Sequence, residues 1–357
     1  MPTRERIHIV GAGLAGLTAA INLARKGFQV VVFEKQPRIG GRTEYRPDPA
    51  GSPFNLERLA AYTGIDISPA VRPLKESRYL LWGTSYRIPF PETVTCYMVE
   101  RGRRPSSLDS LLFEIARREG VQVVFNRKVA ARSDFEALPP RSILATGLEE
   151  ENFRALGIPH EISYAYCAKG RALFQEATVT VYMGPFTHDY GFSCTVNGIA
   201  LGFLFQRGRP LTEQDKAVFR TQVEASEPFT LRGWRDLDFG ACPSGSLRNP
   251  RLFWKDKILA GSLGGSIDPL LNFGMLGAML SGRIAALAVT DRRAAVREFH
   301  RLSLSFYPLF GIRRCVVRVP DPWRARIAKH FLSTQARLPQ RLQRLPFVLV
   351  PGYGWMG

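Results

Sequence analysis

Six residues constrain this chain more than any others: Gly11-Ala12-Gly13-Leu14-Ala15-Gly16. An apolar run at 7–10 precedes them, and a segment with helical spacing, 14–26, follows. A second apolar run at 30–33 ends at Glu34. Strand, glycine turn, helix and acid-terminated strand together predict a βαβ unit. In such a unit Gly11 permits the tight turn and Gly13 lets a pyrophosphate approach the backbone. Gly16 lets the helix pack on the strand. Leu14 and Ala15 open the helix, whose unpaired N–H groups and dipole favour an anion. Glu34, 18 residues after Gly16, is placed to accept hydrogen bonds from ribose hydroxyls.

An acid at that strand end disfavours a 2′-phosphate, which argues against NADP. Two further segments favour FAD. Arg38-Ile39-Gly40-Gly41-Arg42 follows the second strand directly and resembles the glycine loop that approaches FAD in flavoproteins. Far away, Gly261-Ser262-Leu263-Gly264-Gly265-Ser266-Ile267-Asp268-Pro269 leads through Gly274 into an apolar helix expected over 275–289. A second glycine loop feeding a second helix suits a long ligand gripped at both ends.

That distant segment resembles the FAD motif G-D-A-A-G-x-x-D-P…G-I…A…S-G-x-x-A-A of the geranylgeranyl reductase family, within the p-hydroxybenzoate-hydroxylase-like flavoproteins. Gly261, Gly265, Asp268, Pro269, Gly274, Ala278, Ser281, Gly282, Ala285 and Ala286 match it. Residues 97–101 with Leu108, Asp109 and Leu112 are similar to the family's V-x-R-x-x-F-D-x-x-L segment, with extra residues inserted. The matches touch 6–43, 97–147 and 258–287, roughly a third of the chain. The resemblance implies an FAD site made by Gly11, Gly13, Leu14, Ala15, Gly16, Glu34, Lys35, Gly41, Arg42, Arg101, Val129, Gly147, Gly261, Ser262, Asp268, Gly274 and Met275. Tyr190 and Phe192 stand where the family carries its substrate-facing Y-x-W-x-F-P strand.

Three departures accompany the resemblance. Ser262 replaces the aspartate that holds a ribityl hydroxyl, so one charge-assisted hydrogen bond is lost. Ile39 precedes Gly40 where many of these reductases carry a cysteine. Phe192 stands for the family's tryptophan, and the proline of that strand is missing.

At 357 residues the chain has room for about two domains. The expected fold class is α/β: a Rossmann-type FAD-binding domain with an interleaved β-rich substrate domain and a C-terminal basic helical segment. The FAD-binding domain is assigned to 1–75, 97–150 and 250–290. The substrate domain takes 76–96 and 151–249, where short strands are expected around Trp82, Tyr86 and Phe90 and a turn at Asn197-Gly198. Residues 291–357 form the last segment, with helices expected near 291–303 and 321–332. Asp321-Pro322 reads as a helix start, with Asp321 the N-cap.

Charge sets the last segment apart. The net charge is +18, and 40 of the 49 basic residues are arginine. From Arg301 onward, nine arginines and a lysine face one acid, Asp321. Trp323, Ile327 and Phe331 share a helical face, and the apolar end 345–356 follows Arg337, Arg341 and Arg344. Two readings stay open: packing against the FAD-binding domain, or a peripheral contact with an anionic membrane surface. Nucleic acid is not expected, because the basic residues come without a recognition motif.

No apolar run reaches the ~18 residues of a spanning helix. Five scattered cysteines without a C-x-x-C pair fit a reducing cytoplasm. The five histidines lack metal-ligand spacing, so no metal is expected, and neither G-x-S-x-G nor a P-loop occurs. A second dinucleotide fingerprint is also missing, so the electron donor is expected to be transient NAD(P)H or ferredoxin. The resemblance implies an FAD-dependent oxidoreductase that reduces a C=C bond of an isoprenoid or other hydrophobic, lipid-like substrate. A flavin-dependent monooxygenase or halogenase, and an FAD-fold protein without redox activity, are the alternatives.

Overall fold

The computed structural model describes residues 5–41, 48–74, 76–90, 94–243, 249–343 and 345. Arg42, Arg344 and the apolar end from 346 lie outside them. The βαβ unit forms as expected: Arg6–Val10 pairs in parallel with Gln29–Phe33 across helix Leu14–Arg25. Around this pair a six-stranded sheet runs in the order Phe253–Trp254, Lys257–Leu259, Ile143–Leu144, Arg6–Val10, Gln29–Phe33, Gln122–Val124. Its neighbours are parallel except at the Phe253–Trp254 edge. Helices Leu14–Arg25, Leu108–Arg118 and Met275–Thr290 pack into one core through residues such as Leu17, Ile21, Leu112, Met279 and Ile284.

Helix Met275–Thr290 is apolar on nearly every side because it is enclosed on nearly every side. A side chain at Gly282 would meet Ala15 O at 2.3 Å, so glycine there lets this helix approach helix Leu14–Arg25. The two helices that open the two glycine loops are thereby held side by side.

A seven-stranded sheet follows the order Leu231–Pro243, His160–Arg171, Ile199–Arg207, Gly191–Val196, Thr178–Met183, Glu76–Leu81, Thr84–Pro89. Asn197-Gly198 makes the hairpin turn read from the sequence, with φ of 49° and 75°. Trp82-Gly83 closes the Glu76–Leu81/Thr84–Pro89 hairpin the same way, at 44° and 78°. Helix Glu213–Ser226, started by a reciprocal Thr212/Asp215 cap, covers one face through Phe219 and Val223. The opposite face looks toward the six-stranded sheet's glycine loops. Every residue of Ile199–Arg207 is buried as a result, which hides the alternation that marks a half-exposed strand. A three-stranded sheet of Asp48–Pro53, Cys96–Arg101 and Val71–Leu74 stands between the two larger ones.

The C-terminal segment forms helices Arg292–Leu304, Tyr307–Val316, Asp321–Arg337 and Gln340–Gln343. One expectation needs correction here. Asp321 is the first helical residue and Pro320 the N-cap. The Asp321 carboxylate is taken by other donors, Trp82 Nε1 at 3.0 Å and Arg324 at 2.6 Å. The segment also contributes inward-facing arginines, Arg324 buried and Arg313 half-buried. Arg324 donates to Thr187 O at 3.1 Å, and Arg313 to Asp189 at 2.6 Å. Packing therefore accounts for part of the basic excess. Trp323, Ile327 and Phe331 remain 57%, 58% and 51% exposed, so their shared face is uncovered among the described residues.

Candidate dinucleotide cleft and apolar chamber

The two glycine loops open onto one cavity of about 570 Å³. At its dinucleotide end stand Gly11, Gly13, Leu14, Ala15, Glu34, Lys35, Gly41, Arg101, Val129, Gly147, Gly261, Ser262, Gly274 and Met275. Gly11 has φ +101°, and a side chain there would meet Ala145 O at 2.4 Å. A side chain at Gly16 would stand 1.9 Å from Gly11 O, so Gly16 lies behind the lining and holds the turn against the helix. Gly13 has open space where its side chain would be. That is the geometry a phosphate needs to reach backbone N–H groups.

Neither helix facing the cleft has a side-chain cap. Gly13 and Gly274 occupy the two N-cap positions, leaving first-turn N–H groups without side-chain acceptors. The second loop is fixed from below: Ser281 Oγ accepts from Gly261 N–H at 2.8 Å and donates to Ala278 O at 3.1 Å. The motif serine thus has a structural task, holding the loop open.

Glu34 also has a structural part. Its carboxylate accepts from Ala12 N–H and Gln36 N–H, both at 2.9 Å, and so ties the glycine turn to the second strand. It still lines the cleft, where a carboxylate's remaining lone pairs are available. Lys35 is paired with Glu149 at 2.6 Å. Arg101 forks onto Asp109 at 2.8 and 2.9 Å, and Asp109 also accepts from Gly102 N–H at 2.8 Å. Burial disfavours the Arg101 charge, but Asp109 more than offsets this and raises its pKa. Arg101 is therefore a fixed cation at the cleft wall.

Asp268 is corrected. It does not line the cleft. One carboxylate oxygen accepts from Leu270 and Leu271 N–H, both at 2.7 Å, and bends the 268–273 loop so that Leu271, Asn272 and Phe273 face the cavity. The other oxygen is buried without a partner among the described residues, and burial pushes the carboxyl pKa up to about 6.

At the other end the cavity becomes an apolar chamber. Tyr190 and Phe192 line it, joined by Leu201, Phe203 and Phe205 from the neighbouring strand. Tyr190 donates to Leu271 O at 2.5 Å, which couples the chamber wall to the loop beside the dinucleotide end. Sequence reasoning missed Thr146 and Asn152. Each lines the cleft with a buried side-chain oxygen that has no partner among the described residues. Thr146 precedes Gly147, which the resemblance did mark, but nothing in the sequence marked Asn152. Leu201, Phe203 and Phe205 stand in a nearly unbroken apolar run that gives them no contrast with their neighbours.

FAD fits this cleft. Two uncapped helix starts with room for phosphates, a carboxylate at the second strand end, and orphaned buried oxygens at Thr146 and Asn152 match an elongated dinucleotide with many polar groups. Among the described residues no cluster of three histidine, cysteine or acidic side chains could hold a metal. No helix among them is long and apolar enough to cross a membrane.

Comparison with known proteins agrees with this geometry. A family described as an NAD(P)-binding Rossmann-like domain matches residues 9–74. An L-amino-acid oxidase of Siganus canaliculatus is 27% identical over 196 residues, which are 50% of this chain and 37% of the oxidase. The chain thus spans little more than a third of that relative's length. A geranylgeranyl bacteriochlorophyll reductase-like structure from Thermoplasma acidophilum superposes with a TM-score of 0.67 at 15% identity, covering 90% of each chain. A p-nitrophenol 4-monooxygenase from Pseudomonas putida gives 0.67 at 15% identity over 99% of each. The chain has a Rossmann-like domain and shares the mixed α/β fold of these reductase-like and monooxygenase structures.

Proposed function

We propose that this protein is an FAD-dependent oxidoreductase that reduces a C=C bond in an isoprenoid or other lipid-like substrate. The observation that carries the reading is the continuity of the cavity: a dinucleotide cleft runs without a break into a chamber walled by Phe192, Leu201, Phe203 and Phe205. Gly11, Gly13 and the start of helix Leu14–Arg25 would hold the pyrophosphate, with Gly261, Ser262 and Gly274 at the second loop. Bound FAD would supply hydride chemistry. The chain's own part is positional. Glu34 fixes the glycine turn, Arg101 and Asp109 present an immobile charge pair at the wall, and the aromatic chamber excludes water from an apolar chain.

The fold is shared equally with a monooxygenase, so the test must separate the two chemistries. Anaerobic photoreduction followed by admission of oxygen does so. Slow reoxidation of the flavin supports the reductase, and fast reoxidation supports the monooxygenase. A photoreduced protein that turns over no alkene yet reoxidises rapidly overturns the proposal.

The proposed partner of the C-terminal segment is an anionic bilayer surface, contacted from the aqueous side. Trp323, Ile327 and Phe331 form an exposed apolar stripe, extended by exposed Leu342 and Leu345. Arg326, Arg337 and Arg341 are exposed beside them, with the Arg326 guanidinium 5.1 Å from the Trp323 ring centroid. Apolar side chains flanked by arginine suit an interface of acyl chains and anionic headgroups. Such a contact also brings the protein to the phase where a lipid-like substrate resides.

A further inference from the structure

On the seven-stranded sheet the chamber wall is apolar except at one strand. The pleat of the seven-stranded sheet sends alternate side chains inward. From Thr178–Met183 these are Val179 and Val181, and from Ile199–Arg207 they are Leu201, Phe203 and Phe205. From Glu76–Leu81 they are Ser77 and Tyr79. The parallel register sets Tyr79 beside Val181, so this polar pair lies within the wall and not at its rim.

Ser77 is 3% exposed, and its Oγ is set against the Tyr79 hydroxyl. The Tyr79 hydroxyl is its polar neighbour on the same face, with Cys96 close by. Tyr190, the other tyrosine of the chamber, already donates its hydroxyl hydrogen bond to Leu271 O. Even bonded to each other, two buried hydroxyls leave one hydrogen undonated, which is disfavoured unless something else accepts it. A ligand oxygen entering the chamber would do so.

Charge limits what that oxygen can belong to. Among the described residues, no charged side chain of the seven-stranded sheet lines the cavity. Arg207, whose guanidinium lies 6.0 Å from the Phe205 ring, is committed to Asp189, and Arg101 to Asp109. A phosphate or carboxylate at Ser77 would be desolvated without a counter-ion.

We propose that Ser77 and Tyr79 bind the uncharged oxygen of an otherwise apolar substrate, so that the chamber takes alcohols or ketones and excludes anionic head groups. This rests on the reading of the chamber as a lipid-like substrate site and deepens it. Both residues position the substrate; neither is assigned a role in the chemistry.

Three probes of one carbon skeleton test it by equilibrium dialysis against the FAD-loaded protein: farnesol, the corresponding hydrocarbon, and farnesyl diphosphate. Farnesol is expected to bind about tenfold more tightly than the hydrocarbon, and the diphosphate most weakly. Ser77→Ala and Tyr79→Phe should each remove most of the alcohol's advantage and leave hydrocarbon affinity unchanged. Equal binding of alcohol and hydrocarbon, or tighter binding of the diphosphate, overturns this proposal while leaving the lipid-site reading intact. If none of the three binds, the lipid-site reading fails and this proposal fails with it. The wild-type comparison needs no variant, so a folding defect in either substitution cannot obscure the result.

Discussion

Replacing Asp268 by asparagine gives a pH-dependent signal whose size follows from the structure. One Asp268 oxygen accepts two backbone N–H groups at 2.7 Å, and the other is buried without a partner among the described residues. Burial raises the carboxyl pKa from the ordinary 3.8 to about 6, partly opposed by the two backbone donors and Arg207. Below 3.8 the acid is protonated both folded and unfolded, and no penalty applies. Between 3.8 and 6 the unfolded chain releases the proton first, so stability falls as pH rises. Above 6 the full penalty is present, ~3 kcal/mol as an order of magnitude. Asp268→Asn keeps the acceptor for Leu270 and Leu271 and cannot ionise. Its stability relative to the parent should therefore grow by ~2 kcal/mol between pH 4.5 and 7.5. Urea unfolding of both proteins, followed by far-ultraviolet circular dichroism across that range, measures the difference. A difference that does not change with pH would refute the reasoning, because it would mean that Asp268 is ionised throughout.

Other outcomes are equally specific. Gly16→Ala should abolish FAD retention and cost ~3 kcal/mol in stability, since a side chain would stand 1.9 Å from Gly11 O; denaturation and flavin content check both. Ser262→Asp should tighten FAD about tenfold by adding a charge-assisted hydrogen bond, ~1.5–3 kcal/mol when well formed; fluorescence titration of the apoprotein reads it. Sedimentation with anionic vesicles should fall steeply from low to physiological salt, each basic residue near the surface contributing ~1 kcal/mol. Trp323→Ala combined with Phe331→Ala should weaken that sedimentation and leave the flavin spectrum unchanged. Equal binding of both proteins would remove the stripe from the contact.

The parts of the fold that sequence disclosed are those where one residue type has one physical use. Gly11 and Gly16 could be assigned because no side chain fits where they stand. The Asn197-Gly198 hairpin was readable because its turn needs positive φ at both positions. The chamber was harder. Ile199–Arg207 is buried on both faces, so its inward Phe203 and Phe205 carry no contrast with their neighbours. Ser77 and Tyr79 look like ordinary strand residues until the parallel pairing with Thr178–Met183 sets them in an apolar wall. Asp268 matched a motif, yet the motif does not say that its carboxylate turns back on its own loop. Glu34 was placed at the right end of the cleft, but its bonds to Ala12 and Gln36 depend on how the loop returns. Arg313 and Arg324 belonged to an undivided basic excess, and only tertiary contacts separate them from the exposed Arg337 and Arg341.

The identity of the bound dinucleotide tests the central claim most directly. The purified protein should carry a yellow chromophore without a covalent link, and heat should release it as FAD. A protein that is colourless as isolated should take up added FAD stoichiometrically, with quenching of flavin fluorescence. Release of FMN, or failure to bind added FAD, would contradict the account, because the two glycine loops and their two uncapped helices would then be serving some other ligand.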